Sequence, residues 1–113
     1  MTRNERILNL LKGIMPKEFG RKIWQLEYLL QYIMANPESI NNLSKGAYQA
    51  TGDKYSIGSG SVDKNISRLI PYIDAERLAD ITGREIDIET LTPAKLVDIM
   101  IMYLKEEEYT VSS

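Results

Sequence analysis

A serine- and glycine-rich turn followed by a short amphipathic run constrains this chain more than any other feature. Ser56-Ile57-Gly58-Ser59-Gly60-Ser61 is a turn-forming stretch that ends in residues suited to cap a helix. After it, Val62, Ile66, Leu69, Ile70 and Ile73 recur at i, i+4, i+7, i+8 and i+11, the spacing that lines one helix face. Lys64, Ser67 and Arg68 fall nearly opposite that stripe. Lys64 and Arg68 are i, i+4 neighbours with no acid between them, an arrangement that costs an isolated helix a little stability. Most short amphipathic helices only pack a core, and two exposed cations are an ordinary solvated face. A helix, a tight turn and a second helix with an unpaired basic outer side is nevertheless the pattern of a helix-turn-helix reading DNA.

Composition narrows the chemistry. The 113 residues make one domain, long enough to bury a core without metal or disulfide staples. There is no cysteine and no histidine. That removes zinc sites of the Cys/His type, thiol nucleophiles and acid–base mechanisms built on imidazole. Asp87 and Glu89 are a carboxylate pair and Glu106-Glu107-Glu108 a run, but neither comes with a nucleophile or a phosphate cradle, so both read as solvated faces. We expect no enzyme, no metal and no cofactor. No apolar run reaches the roughly 18 residues of a membrane span, and no apolar segment follows the charged N-terminus as a secretory signal requires. The expected setting is a reducing cytoplasm, with no membrane partner.

Net charge is −2, but it is unevenly spread. Residues 1–36 sum to +3, residues 37–73 to +1 and residues 74–113 to −6. Such a split can present one positive face to phosphates while the acidic end favours solubility.

Taken in order, the chain reads as helix after helix. Thr2 and Glu5 have the spacing of a capping box ahead of Ile7, Leu8, Leu10 and Leu11. Gly13 closes this first helix, and Pro16 allows the next. Lys17 to Ala35 is the longest helical candidate, with Ile23, Leu26, Leu29, Leu30 and Ile33 inward and Trp24, Tyr28 and Tyr32 beside them. Asn36-Pro37 ends it. Pro37 to Thr51 reads as a third helix that Gly46 weakens or splits, and Pro71 ends or kinks the basic helix. Another helix runs to about Thr82, stopped by Gly83. Arg84 to Glu89 alternates like a strand but lacks a partner, so it is expected as an extended connector. Thr92-Pro93 starts a final helix to about Glu107, with a frayed tail from Tyr109. The expected fold is all-α, one compact bundle of about six helices containing the helix-turn-helix.

Leu96, Val97, Ile99, Met100, Ile101, Met102, Tyr103 and Leu104 give the last helix an apolar arc wider than the ~100° a one-sided surface helix needs. Either it is central to the domain, or its outer side meets a second subunit through Ile99, Met102 and Tyr103.

These residues resemble the C-terminal DNA-binding effector domain of the sporulation master regulator, the stage-zero sporulation protein A family of bacteria. Leu43-Ser44-Lys45 and Tyr48 stand at the family's I-T-K-x-L-Y positions, and Val62-Asp63-Lys64-Asn65-Ile66-Ser67-Arg68-Leu69-Ile70 at its V-E-R-A-I-R-H-A-I. Ile7 to Ala35 is similar to its leading helices, and Ile81-Thr82-Gly83 with Thr92-Pro93 to its approach to the last helix. The resemblance covers nearly the whole chain. It implies six helices with a helix-turn-helix near the middle, and a last helix used when two domains sit head to tail on DNA. Carried over residue by residue, it implies that Asp63, Lys64, Ser67 and Arg68 face the bases. No aspartate-phosphorylated receiver domain is expected in this chain.

The sequence therefore points to a transcription-factor-like regulator of double-stranded DNA. Lys64 and Arg68 would enter the major groove, Asp63 would accept from a cytosine amino group, and Lys45, Lys54, Ser59 and Ser61 would bond phosphates. The competing reading is a protein-binding adaptor or antagonist that keeps the fold with a weakened DNA site. Lys64 and Ser67 standing where the family has arginines, and the acidic last third, motivate it.

Overall fold

A computed structural model describes residues 1–15 and 20–112, the side chains of residues 20–22 and 111–112 excepted. The expected helix start at Pro16–Lys17 and the last tail residue, Ser113, lie outside the described residues. The described residues are all-α: α1 (Arg3–Ile14), α2 (Gly20–Ala35), α3 (Ala47–Tyr55), α4 (Ser59–Leu69), α5 (Ala75–Thr82) and α6 (Pro93–Ser112). Short 3-10 segments at Pro37–Asn42 and Ile70–Tyr72 join some of them.

Local chemistry sets most boundaries. Thr2 Oγ1 accepts from the Glu5 N–H at 3.1 Å and caps α1. Asp74 Oδ1 accepts from Arg77 N at 3.0 Å and caps α5, a role the sequence reading did not assign although aspartate is a favoured cap. Gly83 ends α5 in the left-handed conformation with φ 70°, where a side chain is disfavoured. Thr92 Oγ1 accepts from Lys95 N at 3.2 Å, with Pro93 as the first helical residue of α6. Residues 84–89 form no strand, but they are not extended throughout: the segment bends at Arg84 and closes in a turn where the Thr90 N–H donates to the Asp87 carbonyl at 3.2 Å.

The segment from Pro37 to Thr51 is not one helix. The 3-10 turn ends at Asn42, and α3 begins only after Gly46. A Cβ on Gly46 would lie 2.9 Å from the Ser39 carbonyl oxygen and 3.0 Å from that of Asn42, so the chain crosses itself where only glycine fits. Pro71, which cannot donate a helical N–H, falls in the 3-10 turn that ends α4.

The core is built from Ile7, Leu10, Leu11 and Ile14 of α1; Leu26, Leu29, Leu30 and Ile33 of α2; Val62, Ile66 and Leu69 of α4; and Leu78 of α5. Leu96, Val97, Met100, Ile101 and Leu104 of α6 complete it. α6 packs against α1, α2, α4 and α5 within one chain, which accounts for its wide apolar arc. Ile99 and Tyr103 are half-buried in this packing and Met102 is exposed. Trp24, expected beside the buried stripe of α2, instead turns to solvent.

α6 runs on to Ser112, past the expected end near Glu107, so Tyr109 is helical rather than frayed. Three arginines clasp the acidic run in this part of the helix. Arg3 bonds both carboxylate oxygens of Glu108, Arg6 lies 3.7 Å from Glu107, and Arg84 Nη2 donates to Glu106 at 2.9 Å. The acidic run stays partly exposed, but it is not unpaired. It is opposed by three arginines of the same protein. Burial is not complete here, so each pair is worth at most about 1 kcal/mol.

Candidate nucleic-acid interface

α3 and α4 are joined by Ser56, Ile57 and Gly58 and pack on each other. Ser56 adopts the left-handed conformation, φ 58° and ψ 41°, and is the one non-glycine residue with positive φ among those described. The N–H groups of Ser56 and Ile57 both donate to the Gly52 carbonyl. The chain thus folds back over the last turn of α3. A Cβ on Gly52 would collide with the Ile57 carbonyl oxygen and meet the Gly58 carbonyl carbon at 3.3 Å. Gly52 is the residue that permits this turn, and sequence reasoning passes over it. A glycine inside a helical pattern close to a turn is the available signal.

α4 is capped differently from the expectation. The cap is Gly58, in extended conformation, whose carbonyl accepts from Ser61 and Val62 at 3.1 and 3.2 Å. No side chain caps the helix; Ser59 is its first residue and is half-buried, while Ser61 lies exposed in the first turn. The first N–H groups of α4 are left for solvent or a ligand, as helix starts are unless a side chain covers them.

The inner side of α4 is fully buried at Val62, Ile66 and Leu69. Burying each is worth about 1.5–3 kcal/mol, against ~0.2–0.5 kcal/mol for the like-charge pair on the outer side. The core therefore fixes which way α4 faces. Asp63, Lys64, Ser67 and Arg68 are all exposed, and helical geometry puts Lys64 directly opposite the buried stripe. The two flanks of α4 are anchored. On one, Asn65 Nδ2 donates to Gln25 Oε1 of α2 at 2.9 Å, a contact the sequence did not disclose. On the other, Asp63 faces Tyr48 of α3. The Tyr48 hydroxyl is buried without a well-formed hydrogen bond, and burial, reinforced by the Asp63 carboxylate, pushes the phenol far above its ordinary value. The phenol thus stays protonated beside Asp63.

Charge pairing separates the cations into two sets. Arg3, Arg6 and Arg84 are held by the acids of α6. Lys45, Lys64 and Arg68 are exposed and form no ion pair among the described residues. Lys54, at the end of α3, sits with its Nζ 5.7 Å from the centroid of the Tyr28 ring and has no acidic partner among them either. The base-facing candidates lie on one helix face. Lys45, before α3, and Lys54, at its far end, belong to a different element from Ser59 and Ser61.

Elsewhere the surface offers little chemistry. A cleft of about 530 Å³ is lined by Glu85, Ile86 and Asp87 of the connector with Thr90, Leu91, Lys95 and Ile99. Among the described residues no three Asp or Glu side chains gather into a set able to hold a metal ion. Among them, too, no helix is long and apolar enough to cross a membrane. No protein-family model, curated protein or solved structure matches the chain.

Proposed function

We propose that this protein is a sequence-specific DNA-binding regulator in which α3, the turn and α4 act as a helix-turn-helix, with α4 lying in the major groove. The observation that carries the reading is the state of Lys64 and Arg68: one turn apart on the outer face of a core-anchored helix, exposed, and with no acid of the described chain against them. Arginine forks guanine O6 and N7, lysine reaches the same acceptors as a point charge, and Asp63 accepts from a cytosine amino group. Ser61, Ser59 and the uncapped N–H groups at the start of α4 would bond phosphate, joined by Lys45 and Lys54.

The mildly basic first part of the sequence contributes less to this surface than its composition suggests. Arg3 and Arg6 are turned to α6, and among the described residues the cations on α4, on α3 and in the segment before α3 are the ones this reading uses. The same pairing engages the acidic run that favours an adaptor on sequence grounds. With about four to six phosphate contacts and a slope near −0.9 for each, affinity should fall steeply with salt. The test is selection of bound sequences from a random duplex pool, repeated at two salt concentrations. An enriched motif with a steep salt response is expected. A flat response, or no retained duplex at low salt, refutes the reading, and a stoichiometric protein partner that survives nuclease would then favour the adaptor.

A further inference from the structure

The only tryptophan of the chain is on the surface. Trp24 is 56% exposed on α2, turned away from Leu26, Leu29, Leu30 and Ile33, which are fully buried. An exposed indole is costly to leave in water and is a side chain of choice at contact surfaces. Its surroundings are built rather than accidental. The Tyr55 hydroxyl, at the last residue of α3, donates to the Trp24 carbonyl at 3.3 Å. Tyr55 and Tyr28 meet edge to face with centroids 6.3 Å apart, and Lys54 lies over Tyr28. The next residue of α2, Gln25, is the partner of Asn65 on α4. Trp24 therefore stands on the segment of α2 that is bonded both to the end of α3 and to the flank of α4.

We propose that Trp24, with Lys54 of the adjoining Tyr28–Tyr55 cluster, is a second contact on the same duplex, packing on the sugar–phosphate strand that borders the groove α4 enters. The occupant is argued from continuity and charge. The patch joins the α3–α4 surface through Tyr55 and Gln25, and Lys54, which lies over the Tyr28 ring of the same aromatic cluster, has no acidic partner among the described residues. The indole offers one N–H donor for a phosphate oxygen and a flat apolar face for deoxyribose. A contact of this kind positions without reading sequence, because phosphates and sugars are the same at every step. The inference rests on the regulator reading but fails separately from it.

Trp24 is its own reporter, since no other tryptophan emits. Duplex from the enriched pool should change Trp24 emission and shield it from acrylamide. Trp24→Ala should weaken binding about fivefold on every duplex while leaving the enriched motif unchanged, and Trp24→Phe should lose less, keeping the ring without the N–H donor. Thermal melts control for folding, which an exposed side chain should hardly affect. Duplex binding that depends on Lys64 but leaves Trp24 emission and acrylamide access unchanged overturns the inference and spares the regulator. Absence of any duplex binding overturns both. Protection of Trp24 by a nuclease-resistant protein, and not by duplex, overturns the inference and makes the patch a protein contact.

Discussion

Replacing Gly52 by alanine should destabilise the protein, against the usual sign for a helical glycine. In an unobstructed helix the exchange gains about 1 kcal/mol, because glycine sacrifices more backbone freedom on folding. Here the added Cβ would overlap a backbone oxygen, that of Ile57, which cannot swing aside as a flexible side chain would. Relief requires the turn to lift, stretching the Ile57 N–H bond to the Gly52 carbonyl, now 2.9 Å. Losing that bond costs about 1 kcal/mol and displacing packed backbone about 1–3 kcal/mol. After subtracting the helical gain, the net loss is about 1–3 kcal/mol, or roughly 4–15 °C in Tm for a domain of this size. Gly60 is the internal control, since it lies in α4 and a methyl group there would meet nothing within 4 Å. Gly60→Ala should raise stability by about 0.5–1 kcal/mol. Chemical denaturation with matched m-values reads both. If Gly52→Ala is as stable as the parent, or more so, the close return of the turn over α3 is wrong.

Ser56→Gly should stabilise by about 0.5–1 kcal/mol in the same denaturation assay, because glycine adopts φ 58° without the steric cost a side chain carries. Lys64→Ala and Arg68→Ala should each keep the fold and abolish or broaden the enriched motif in duplex selection, whereas Lys45→Ala should weaken all sequences alike and reduce the salt slope by about 1. The Arg3 guanidinium holds the Glu108 carboxyl below its ordinary 4.5. A depressed carboxylate stabilises the fold fully above the unfolded-state value and loses that contribution as pH falls through the folded one. Glu108→Gln should therefore flatten the stability–pH curve below about pH 4.5, measured by thermal melts across the acid range. At the alkaline end, hydrogen bonding to Glu107 pushes Tyr103 up to about 12. Ultraviolet titration should show this tyrosine ionising late, and Glu107→Gln should bring it down.

What the sequence disclosed was what neighbouring residues decide together. Thr92-Pro93, Gly83 and Asn36-Pro37 act through their own dihedrals and capping atoms, and each boundary fell where those residues put it. The stripe from Val62 to Leu69 fixed the buried side of α4, and with it the exposure of Lys64 and Arg68, because periodicity and burial are one property. The misses are all long-range or subtle in local balance. Arg3 and Glu108 are far apart in the chain, so nothing near either one announces the clasp. The split at Gly46 was expected, but its cause, like the role of Gly52, is a close approach that only the folded chain creates. The cap of α4 fell on Gly58 instead of a serine because its carbonyl, not a side chain, receives the first N–H groups. Trp24 reads as a neighbour of the core because its size suggests burial, although its place on α2 is opposite the leucines.

Because carbonyls and missing side chains hold the bend between α3 and α4, the outward positions 64, 67 and 68 have no part in keeping the two helices together. Those three places can be rewritten wholesale at little thermodynamic penalty. Under the proposed function, a lineage or an engineer could retarget the protein by exchanging a few outward letters while the scaffold beneath stays untouched.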